Sequence, residues 1–361
     1  MKIILATGGS GGHLFPALSV ARELRGRGHQ VVFLGSFGIG IQQIQQAGFA
    51  YRELKTRGIV SSSFSRLVWA VWFMFLAMIQ AVRLLNQEKP EAVVGFGGHG
   101  AFPVILMAVL FRYPAMIHEQ NVIPGKANSL LSGIVQKVAI SFAKTRRYFN
   151  PRKTVLTGCP THIDPHKFCD RADALKKLRL DENKTTILVF GGSQGSQRIN
   201  EVFIEAVKLL TKPTDFQVIH ISGKSDLARL ESQYRQTKIP FALFEFLEDI
   251  HLAYCAADLV VCRAGAVTVT ELAMFKKRAV FIPYPYAGAH QKENAMLLRE
   301  LKMADIIDQE HLTPSRLKDA IEDHFSNRHF QDQPGDCFGE IFIPDSSKRL
   351  SDEVINLVAP A

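Results

Sequence analysis

Two glycine-rich turns are the segments of this sequence best suited to chemistry. Residues 7–13 read Thr-Gly-Gly-Ser-Gly-Gly-His, and residues 190–196 read Phe-Gly-Gly-Ser-Gln-Gly-Ser. Each follows an apolar run that predicts a strand and precedes a segment that predicts a helix. Glycines let the backbone approach an anion closely, and the free N–H groups of the following helix can then bind it. The turns therefore predict phosphate binding, and a tight turn without a ligand is the alternative for each.

Two titratable side chains stand next to such turns. His13 closes the first turn. The positive end of a helix favours a neutral imidazole, so His13 is a candidate general base, with capping or packing of the turn as the alternative. Glu271 follows a third predicted strand, residues 258–262, where it either offsets a helix dipole or accepts hydrogen bonds from a sugar diol. Two polar clusters, residues 118–121 and 289–295, also follow apolar strands, where functional groups concentrate.

The residue types disfavour several familiar sites. A dinucleotide fingerprint needs a glycine where Leu14 stands and an acidic residue after the second strand, which ends in Gly35-Ser36. Neither turn carries the Gly-Lys-Ser/Thr of a P-loop. The sequence has no His-Glu-x-x-His and no Asp-x-Asp, which disfavours a catalytic metal. Its five cysteines are an odd number without a Cys-x-x-Cys pair, so no disulfide framework or cysteine-based zinc site is expected.

The elements that position these groups alternate between strands and helices, which is typical of parallel α/β sheets. Strands are predicted near residues 2–6, 30–34, 92–96, 115–118, 137–141, 154–157, 186–190, 217–221, 241–246, 258–262, 279–282 and 305–308. The strand, Gly-Gly-Ser-x-Gly turn and helix recur 183 residues apart, which predicts two Rossmann-like domains. The Pro- and Gly-containing segment 158–165 suits a linker between them. A ligand is expected beyond the carboxyl ends of the strands.

Charge and apolarity both distinguish the first half of the chain. Residues 1–160 hold 18 Lys and Arg against 5 Asp and Glu, a net charge of +13, and the rest of the chain carries −4. Such a basic half favours phosphates, acidic lipid or nucleic acid as partners, with a solvated basic face as the alternative. The longest apolar run, residues 67–79, holds both tryptophans and is too short to span a membrane. It is either a core helix or an interfacial helix, or each on a different face.

Seven segments together resemble the MurG family, which transfers N-acetylglucosamine (GlcNAc) from UDP-GlcNAc to lipid I, undecaprenyl-diphosphate-MurNAc-pentapeptide, to form lipid II. They follow the order of the family over about residues 1–310, and they are TGGSGGHLFPAL (7–18), GFGGHGAFP (95–103), HEQN-x-x-x-G-x-x-N (118–128), FGGSQGS (190–196), EFLEDI (245–250), ADLVVCRAGAVTVTEL (257–272) and the stretch 291–295. The last fifty residues add little to this resemblance.

The resemblance implies the GT-B fold, an α/β architecture of two Rossmann-like doubly wound parallel-sheet domains that face each other across a cleft. Residues 1–160 would form the domain that faces the acceptor and the membrane, and residues 161–345 would bind UDP-GlcNAc. Residues 346–361 would form a helix that packs back on the first domain. The family needs no cofactor and no metal. Its partners would be UDP-GlcNAc, lipid I and the anionic inner leaflet, with no nucleic acid, at the cytoplasmic face of the bacterial inner membrane.

The resemblance also implies roles for individual residues. His13 would be the base that deprotonates the acceptor hydroxyl. Glu271 would bind the ribose hydroxyls, Gln291 the GlcNAc hydroxyls and Leu247 the uracil through its backbone. The other implied donor-binding residues are Ser10, Gly11, Gly12, Asn121, His162, Ser193, Ala266, Val267, Thr268, Val269 and Thr270. His162 stands where the family usually has an arginine, so either His162 reaches the donor or another residue, such as Arg263, compensates.

The implied reaction is one in-line displacement that inverts the anomeric carbon and serves peptidoglycan biosynthesis. One alternative is another GT-B enzyme that uses UDP-GlcNAc, either a 2-epimerase or a glycolipid glycosyltransferase. The basic first half and the apolar run disfavour an epimerase, which needs no membrane face. A second alternative is a non-catalytic membrane scaffold, which the intact glycines, His13 and Glu271 disfavour. Charge alone suggests a nucleic-acid binder, and no recognised motif supports it.

Overall fold

The computed structural model describes residues 1–9, 11–54, 64–163, 168–285, 290–326 and 336–358. The chain divides into two compact units, termed here the N-unit, residues 1–162 with 343–361, and the C-unit, residues 163–342. The predicted linker, residues 158–165, spans the boundary between the two units. The domain boundaries predicted from sequence were residues 160 and 345.

Both units are built on parallel β-sheets, which confirms the predicted α/β class. The strands are β1 (Lys2–Gly8), β2 (Gln30–Ser36), β3 (Ala50–Glu53), β4 (Ala92–Gly95), β5 (Ala115–Glu119), β6 (Lys137–Ile140), β7 (Thr154–Leu156), β8 (Thr185–Phe190), β9 (Phe216–Ile221), β10 (Phe241–Phe244), β11 (Leu259–Cys262), β12 (Arg278–Phe281) and β13 (Ala304–Ile306). Within the described residues, the N-unit sheet has the order β3-β2-β1-β4-β5-β6-β7 and the C-unit sheet the order β10-β9-β8-β11-β12-β13. Each order reverses beside the first strand of its unit.

Helices connect the strands, as the right-handed crossovers of parallel sheets require. They are α1 (Gly11–Gly26), α2 (Ile41–Gln46), α3 (Phe64–Glu88), α4 (Phe102–Leu110), α5 (Lys126–Leu131), α6 (Arg171–Leu178), α7 (Gln197–Lys208), α8 (Leu227–Tyr234), α9 (Ile250–Ala256), α10 (Ala266–Met274), α11 (His290–Glu300), α12 (Pro314–Ser326) and α13 (Ser346–Asn356).

The N-unit sheet is covered on both faces, because its strands are apolar at consecutive positions. Ile3 and Leu5 pack in a core with α1 and α13, whereas Ile4 and Ala6 pack on the other face with α3, α4 and α5. The C-unit sheet follows the same plan. Ile187 and Val189 of β8 pack in a core with α7, α8 and α12.

Each predicted strand is present, with ends that differ by two residues at most. The edge strand β3 was missed, because Ala50-Tyr51-Arg52-Glu53 is half-buried or exposed and lacks an apolar alternation. The predicted last helix is present as α13, and it belongs to the N-unit.

The apolar run 67–79 lies inside α3, and the helix has two different faces. Ala77, Ala81 and Leu85 are buried in the core. Trp69 and Trp72 are 61% and 51% exposed. The core interpretation of this run therefore holds for one side of the helix, and the interfacial interpretation of the exposed side stays a prediction. Among the described residues, no helix has both the length and the apolarity that crossing a membrane would require.

Candidate active site

The carboxyl ends of β1, β4 and β5 are neighbours in the N-unit sheet, and the loops after them form one candidate site. The sheet order reverses between β1 and β4, which is where open parallel sheets bind ligands. The Gly8 backbone N–H donates to the Gly97 carbonyl at 3.1 Å, so the first glycine turn is joined to the loop after β4. His13, the third residue of α1, and residues 118–121 thereby lie at the same sheet edge.

Glycines line the His13 ring on the side of the β4 loop. A methyl group at Gly97 would stand 3.3 Å from His13 Cε1, and one at Gly98 would stand 3.4 Å from Cδ2. Both glycines also have positive φ angles, 92° and 82°, which a side chain would strain. The ring therefore lies against bare backbone, and larger residues here would displace it.

A chain of hydrogen bonds leads from His13 into the core. His13 Nδ1 lies 3.1 Å from Gln120 Oε1, and Gln120 Nε2 lies 3.1 Å from His118 Nδ1. His118 Nε2 lies 3.1 Å from the carbonyl oxygen of Gly158. Burial lowers the pKa of His118 to about 4, so this ring is neutral at neutral pH.

The buried carboxylate of Glu119 holds the loop after β5 in shape. Its Oε1 accepts hydrogen bonds from the backbone N–H and side-chain amide of Asn121, at 2.9 and 3.1 Å. Its Oε2 accepts from the Gly125 N–H at 3.0 Å and from Asn128 Nδ2 at 2.8 Å. Glu119 therefore organises the predicted motif from inside, and the Asn121 amide takes part in that brace.

The remaining predicted residues of the N-unit that the structure describes lie on α1 and at the end of the unit. Gly11 and Gly12 begin α1, and Ser10 lies outside the described residues. His162 is exposed, and its ring centroid lies 5.5 Å from that of Phe15. Their contacts with a donor, like that of Asn121, stay predictions.

In the C-unit the second glycine turn follows β8, whose carboxyl end lies beside that of β11. The turn is tight. A methyl group at Gly195 would stand 2.2 Å from the Ser222 carbonyl oxygen, and one at Gly191 would stand 2.3 Å from the Ser196 nitrogen. Ser193 is exposed in this turn, and α7 begins four residues later. The turn thus has the close-approach geometry that anion binding at a helix N-terminus requires.

The helix α10 follows β11 in the same manner and carries a run of predicted donor-binding residues. Val269 and Thr270 are completely buried, and Ala266 is 5% exposed. Val267 and Thr268 are half-buried, so these two side chains are the ones in the run that reach the surface.

Glu271 lies on the side of α10 that faces the core, and the residue is 4% exposed. The Tyr254 hydroxyl, on α9, donates a hydrogen bond to Glu271 Oε2 at 2.9 Å. Burial raises the pKa of Glu271 to about 8, and the hydrogen bond from Tyr254 opposes that rise. Burial therefore favours the protonated, neutral form of this carboxyl group.

Arg263, the alternative partner for the donor, braces the loops at this sheet edge, and its contact with a donor stays a prediction. One guanidinium nitrogen donates to the carbonyls of Ile282 and Pro283, at 2.9 and 3.2 Å. The other donates to Ser196 Oγ at 2.9 Å and to Gln309 Oε1. Arg263 is 8% exposed, and burial lowers its pKa below the usual value. It connects the loops after β8, β12 and β13 from inside.

Gln291 lies in the first turn of α11, and Leu247 lies on a loop of the C-unit. Gln291 Oε1 accepts a hydrogen bond from the Tyr284 backbone N–H at 2.9 Å, which joins α11 to the end of β12. Residues 286–289 lie outside the described residues. Leu247 is half-buried in the loop between β10 and α9. The segments that follow β8, β11 and β12, which are neighbours in the sheet, thus carry Ser193 in a turn, Glu271 on α10 and Gln291 on α11.

Sequence reasoning assigned no role to Gln120 or Tyr254. Gln120 was visible as part of the polar cluster 118–121, but its spacing does not reveal that it lies between two histidines. Tyr254 lies 17 residues before Glu271, and only the packing of α9 beside β8 and α10 brings the two together. In the described part of the chain, the group of side chains with metal-ligand spacing is Asp308, Glu310 and His311, and Lys292 already pairs with Asp308 at 2.9 Å.

Comparison with known proteins assigns the chain first to a class and then to a family. The solved structure of CalG4, the calicheamicin glycosyltransferase, superposes with a TM-score of 0.71 at 17% identity, over 99% of both chains. The fold is therefore that of two-domain glycosyltransferases, as predicted. The crystal structure of MurG from Acinetobacter baumannii superposes with a TM-score of 0.75 at 28% identity, covering 98% of this chain and 99% of that one.

Family models match both units. The glycosyltransferase family 28 N-terminal domain matches residues 3–140, and the family 28 C-terminal domain matches residues 186–350. The UDP-N-acetylglucosamine–N-acetylmuramyl-(pentapeptide) pyrophosphoryl-undecaprenol N-acetylglucosamine transferase of Myxococcus xanthus is 34% identical, over 99% of this chain and 93% of its own. The chain belongs to glycosyltransferase family 28 and, within it, to the MurG family of hexosyltransferases, as the motifs indicated.

Proposed function

We propose that this chain transfers GlcNAc from UDP-GlcNAc to the MurNAc 4-hydroxyl of lipid I and so forms lipid II for peptidoglycan synthesis. The observation that carries the proposal is membership of this transferase family over nearly the whole chain. The names of the relatives state the transferred group and an undecaprenyl-diphosphate-linked MurNAc-pentapeptide.

The C-unit binds the donor in this proposal. The turn that holds Ser193 binds the diphosphate through backbone N–H groups, since its glycines leave no side chain in the way. Glu271 binds the ribose hydroxyls, Gln291 the GlcNAc hydroxyls and the backbone of Leu247 the uracil. Arg263 acts on the donor indirectly, because its guanidinium is engaged in bracing the loops.

The N-unit supplies the base in this proposal. His13 takes the proton of the acceptor 4-hydroxyl as that oxygen attacks the anomeric carbon. The bond from this carbon to the diphosphate oxygen breaks, and its electron pair leaves with UDP. One displacement of an α-linked donor gives a β-linked product, and a general base contributes about 10²–10⁴-fold to such a step.

The reaction is metal-independent in this proposal. The negative charge on departing UDP is stabilised by N–H groups of the glycine turn and by the N-terminal end of α7, a helix of 12 residues. Preorganised N–H donors can stabilise a developing anion without a cation. We therefore expect full activity in excess EDTA.

The N-unit also docks on the membrane in this proposal. The helices α3, α4 and α5 pack side by side on one face of the sheet, since α4 contacts both of the others. Their outward sides and the residues that follow them carry large exposed apolar side chains, here named the apolar surface: Trp69, Trp72, Phe75, Leu76, Ile79, Leu110, Phe111, Leu130 and Ile134. A set of this kind is typical of interaction surfaces.

Exposed basic side chains accompany the apolar surface. Arg83 lies on α3, Arg112 lies two residues after the end of α4, and Lys126 begins α5. Apolar side chains with basic neighbours bind the interface of an anionic leaflet, where each Lys or Arg adds about 1 kcal/mol. The protein is thus peripheral to the membrane in this proposal, and it works at the cytoplasmic face of the bacterial inner membrane.

The experiment that tests the proposal measures UDP release from UDP-GlcNAc, with and without a lipid I analogue, in the presence of EDTA. Acceptor-dependent release together with a disaccharide product supports it. Conversion of the donor without acceptor would instead indicate an epimerase or a hydrolase. Activity that EDTA abolishes and a divalent cation restores would overturn the metal-independent reaction while leaving the transfer itself in place.

A further inference from the structure

The hydrogen bonds behind His13 end on two backbone carbonyls, which can only accept. One is the Gly158 carbonyl, 3.1 Å from His118 Nε2. The other is the His118 carbonyl, 3.2 Å from Gln120 Nε2. These two acceptors determine where the hydrogens of the whole chain must lie, because each group between them can be oriented in one way only.

The first carbonyl fixes the tautomer of His118. Since the Gly158 oxygen accepts, His118 Nε2 must carry the hydrogen. The ring is completely buried and neutral, so Nδ1 has a free electron pair. Ser141 Oγ lies 3.4 Å from Nε2, but it donates its hydrogen to the Glu119 carbonyl at 3.0 Å and does not compete.

Both carbonyls then fix the orientation of the Gln120 amide. His118 Nδ1, at 3.1 Å, and the His118 carbonyl, at 3.2 Å, are acceptors that face the same end of the amide. That end must be the NH₂ group. The amide oxygen is left facing His13 Nδ1 at 3.1 Å, and an oxygen there requires a hydrogen on Nδ1.

We propose that Gln120 is a positioning residue that, held by His118, keeps His13 in the tautomer with its hydrogen on Nδ1. Nε2 then carries the electron pair in the neutral ring, and it is the atom that receives the proton of the acceptor hydroxyl. The inference deepens the proposed function and rests on it for the role of the base. The tautomer itself does not depend on which sugar is transferred.

The group that orients His13 is the neutral amide of Gln120, whereas a carboxylate orients the histidine in a serine-protease triad. Gln120 therefore directs His13 without adding a negative charge beside it. The titratable groups that face the ring are His118, through Gln120, and His99 on the loop after β4. Burial, and then the neighbouring His13, lowers the pKa of His99. The carboxylate of Glu119, at the end of β5, is engaged with Asn121, Gly125 and Asn128.

The direct test observes the tautomer in the full chain without substrate. Protein labelled with ¹⁵N-histidine is examined by long-range ¹H–¹⁵N correlation at mildly alkaline pH, and the His13 ring is assigned as the signal that His13→Ala removes from the 12 histidines. We expect a protonated-type shift at Nδ1 and an unprotonated-type shift at Nε2. The reverse pattern in the wild type would overturn the proposal outright.

The variant Gln120→Met keeps the length of the side chain and removes both hydrogen-bonding groups. We expect its His13 signals to move toward a mixture of tautomers. We also expect kcat to fall about 10- to 100-fold, with the KM for UDP-GlcNAc unchanged. An unchanged tautomer in a folded Gln120→Met protein would refute the role of Gln120.

A double-mutant cycle separates positioning from a merely structural role. If Gln120 acts through His13, Gln120→Met slows a His13→Ala enzyme no further. The matched control is Gln217→Met in the C-unit, a buried glutamine that bonds Asp181 and Thr186. Its effect on stability should be similar, and its His13 signals should not move.

Equal slowing by Gln120→Met in both backgrounds would show a structural role only. Should Gln120→Met fail to fold, the wild-type tautomer still decides the proposal. If the tautomer is as expected but no GlcNAc transfer occurs, the proposed function is wrong and the inference about Gln120 and the His13 tautomer stands.

Discussion

The loops after β4 and after β11 occupy equivalent places in the two units, and they differ in one respect that matters. Each strand lies beside the first strand of its unit, where the sheet order reverses. After β4 the chain continues with Gly97 and Gly98, and the His13 imidazole lies against their bare backbone. After β11 it continues with Arg263, whose buried guanidinium donates to four acceptors.

The comparison teaches that one topology can serve two kinds of site. In the N-unit, small residues make room for a side chain from the neighbouring turn, which suits a group that must meet an incoming hydroxyl. In the C-unit, a large cation fills the equivalent place and fixes the neighbouring turn, which suits a rigid cradle for a diphosphate. The first residues after the strand, Phe96-Gly97-Gly98 in one unit and Arg263 in the other, therefore determine whether the loop makes room for a reactive group or is braced.

The largest effect is expected from substitution of His13 in the N-unit. His13→Ala should lower kcat about 10²–10⁴-fold, because the base acts in the transition state, and should leave UDP-GlcNAc affinity nearly unchanged. Steady-state kinetics and calorimetric titration of UDP-GlcNAc measure the two quantities. The control is His311→Ala, an exposed histidine of the C-unit, which should retain full turnover. Wild-type turnover in His13→Ala would eliminate His13 as the base.

In the C-unit, loss of the Arg263 guanidinium should lower the stability of the fold. Arg263→Met leaves two buried carbonyls and two half-buried side-chain oxygens without their donor and should lower the free energy of unfolding by about 2–4 kcal/mol. UDP affinity should fall with it, since the turn that holds Ser196 loses its support. Arg198→Met, which removes one hydrogen bond to the Leu312 carbonyl at 2.8 Å, should cost less than about 1 kcal/mol. Denaturant unfolding measures the free energy of unfolding of both variants. Equal losses would mean that the Arg263 guanidinium contributes no more than the single hydrogen bond of Arg198.

The outer surfaces of the two units provide a second contrast. Replacing Trp69 and Trp72 together by Ala should weaken binding to vesicles that contain anionic phospholipid by at least about tenfold, because both rings are more than half exposed. Leu209→Ala, an exposed apolar residue of the C-unit, should have no effect. Sedimentation with vesicles at low and high salt measures both. Undiminished binding by the double variant would move the docking surface away from α3.

The smallest effect concerns the acidic group of the C-unit. The pKa of Glu271 is raised to about 8 in the folded chain from an ordinary value of 4.5. The stability that its neutral form contributes is therefore complete below pH 4.5 and is lost as the pH rises through about 8. Glu271→Gln should remove this loss, so that unfolding free energy falls less between pH 6 and pH 9 than in the wild type.

The same variant should weaken UDP binding about tenfold, since an NH₂ group, which cannot accept, replaces one of the two oxygens proposed to bind the ribose hydroxyls. Glu205→Gln, an exposed residue of α7, serves as the control for both measurements. If Glu271→Gln shows the same pH dependence of unfolding as the wild type, Glu271 is ionised in the folded protein.

Much of the fold could be predicted from local pattern. Apolar runs at consecutive positions identify strands that are buried on both faces, and glycine turns after two of them identify the repeated unit. The edge strand β3 escaped, because Tyr51-Arg52-Glu53 is polar and only its pairing with β2 makes it a strand. For the run 67–79 the sequence left open a core helix, an interfacial helix or one of each on different faces, and only the contact of α3 with α4 shows which side is covered.

The sequence by itself determined the family, the two α/β units, the glycine turns and the identity of His13 and Glu271 as the candidate groups. These follow from residue types at short spacing, which local geometry converts directly into structure. Only the tertiary structure decided that Arg263 is a brace, that Tyr254 bonds Glu271 and that Gln120 lies between His13 and His118. The physical reason is that a hydrogen bond depends on distance in space. Residues 107 positions apart, such as His13 and Gln120, meet only when neighbouring strands bring their loops to one sheet edge.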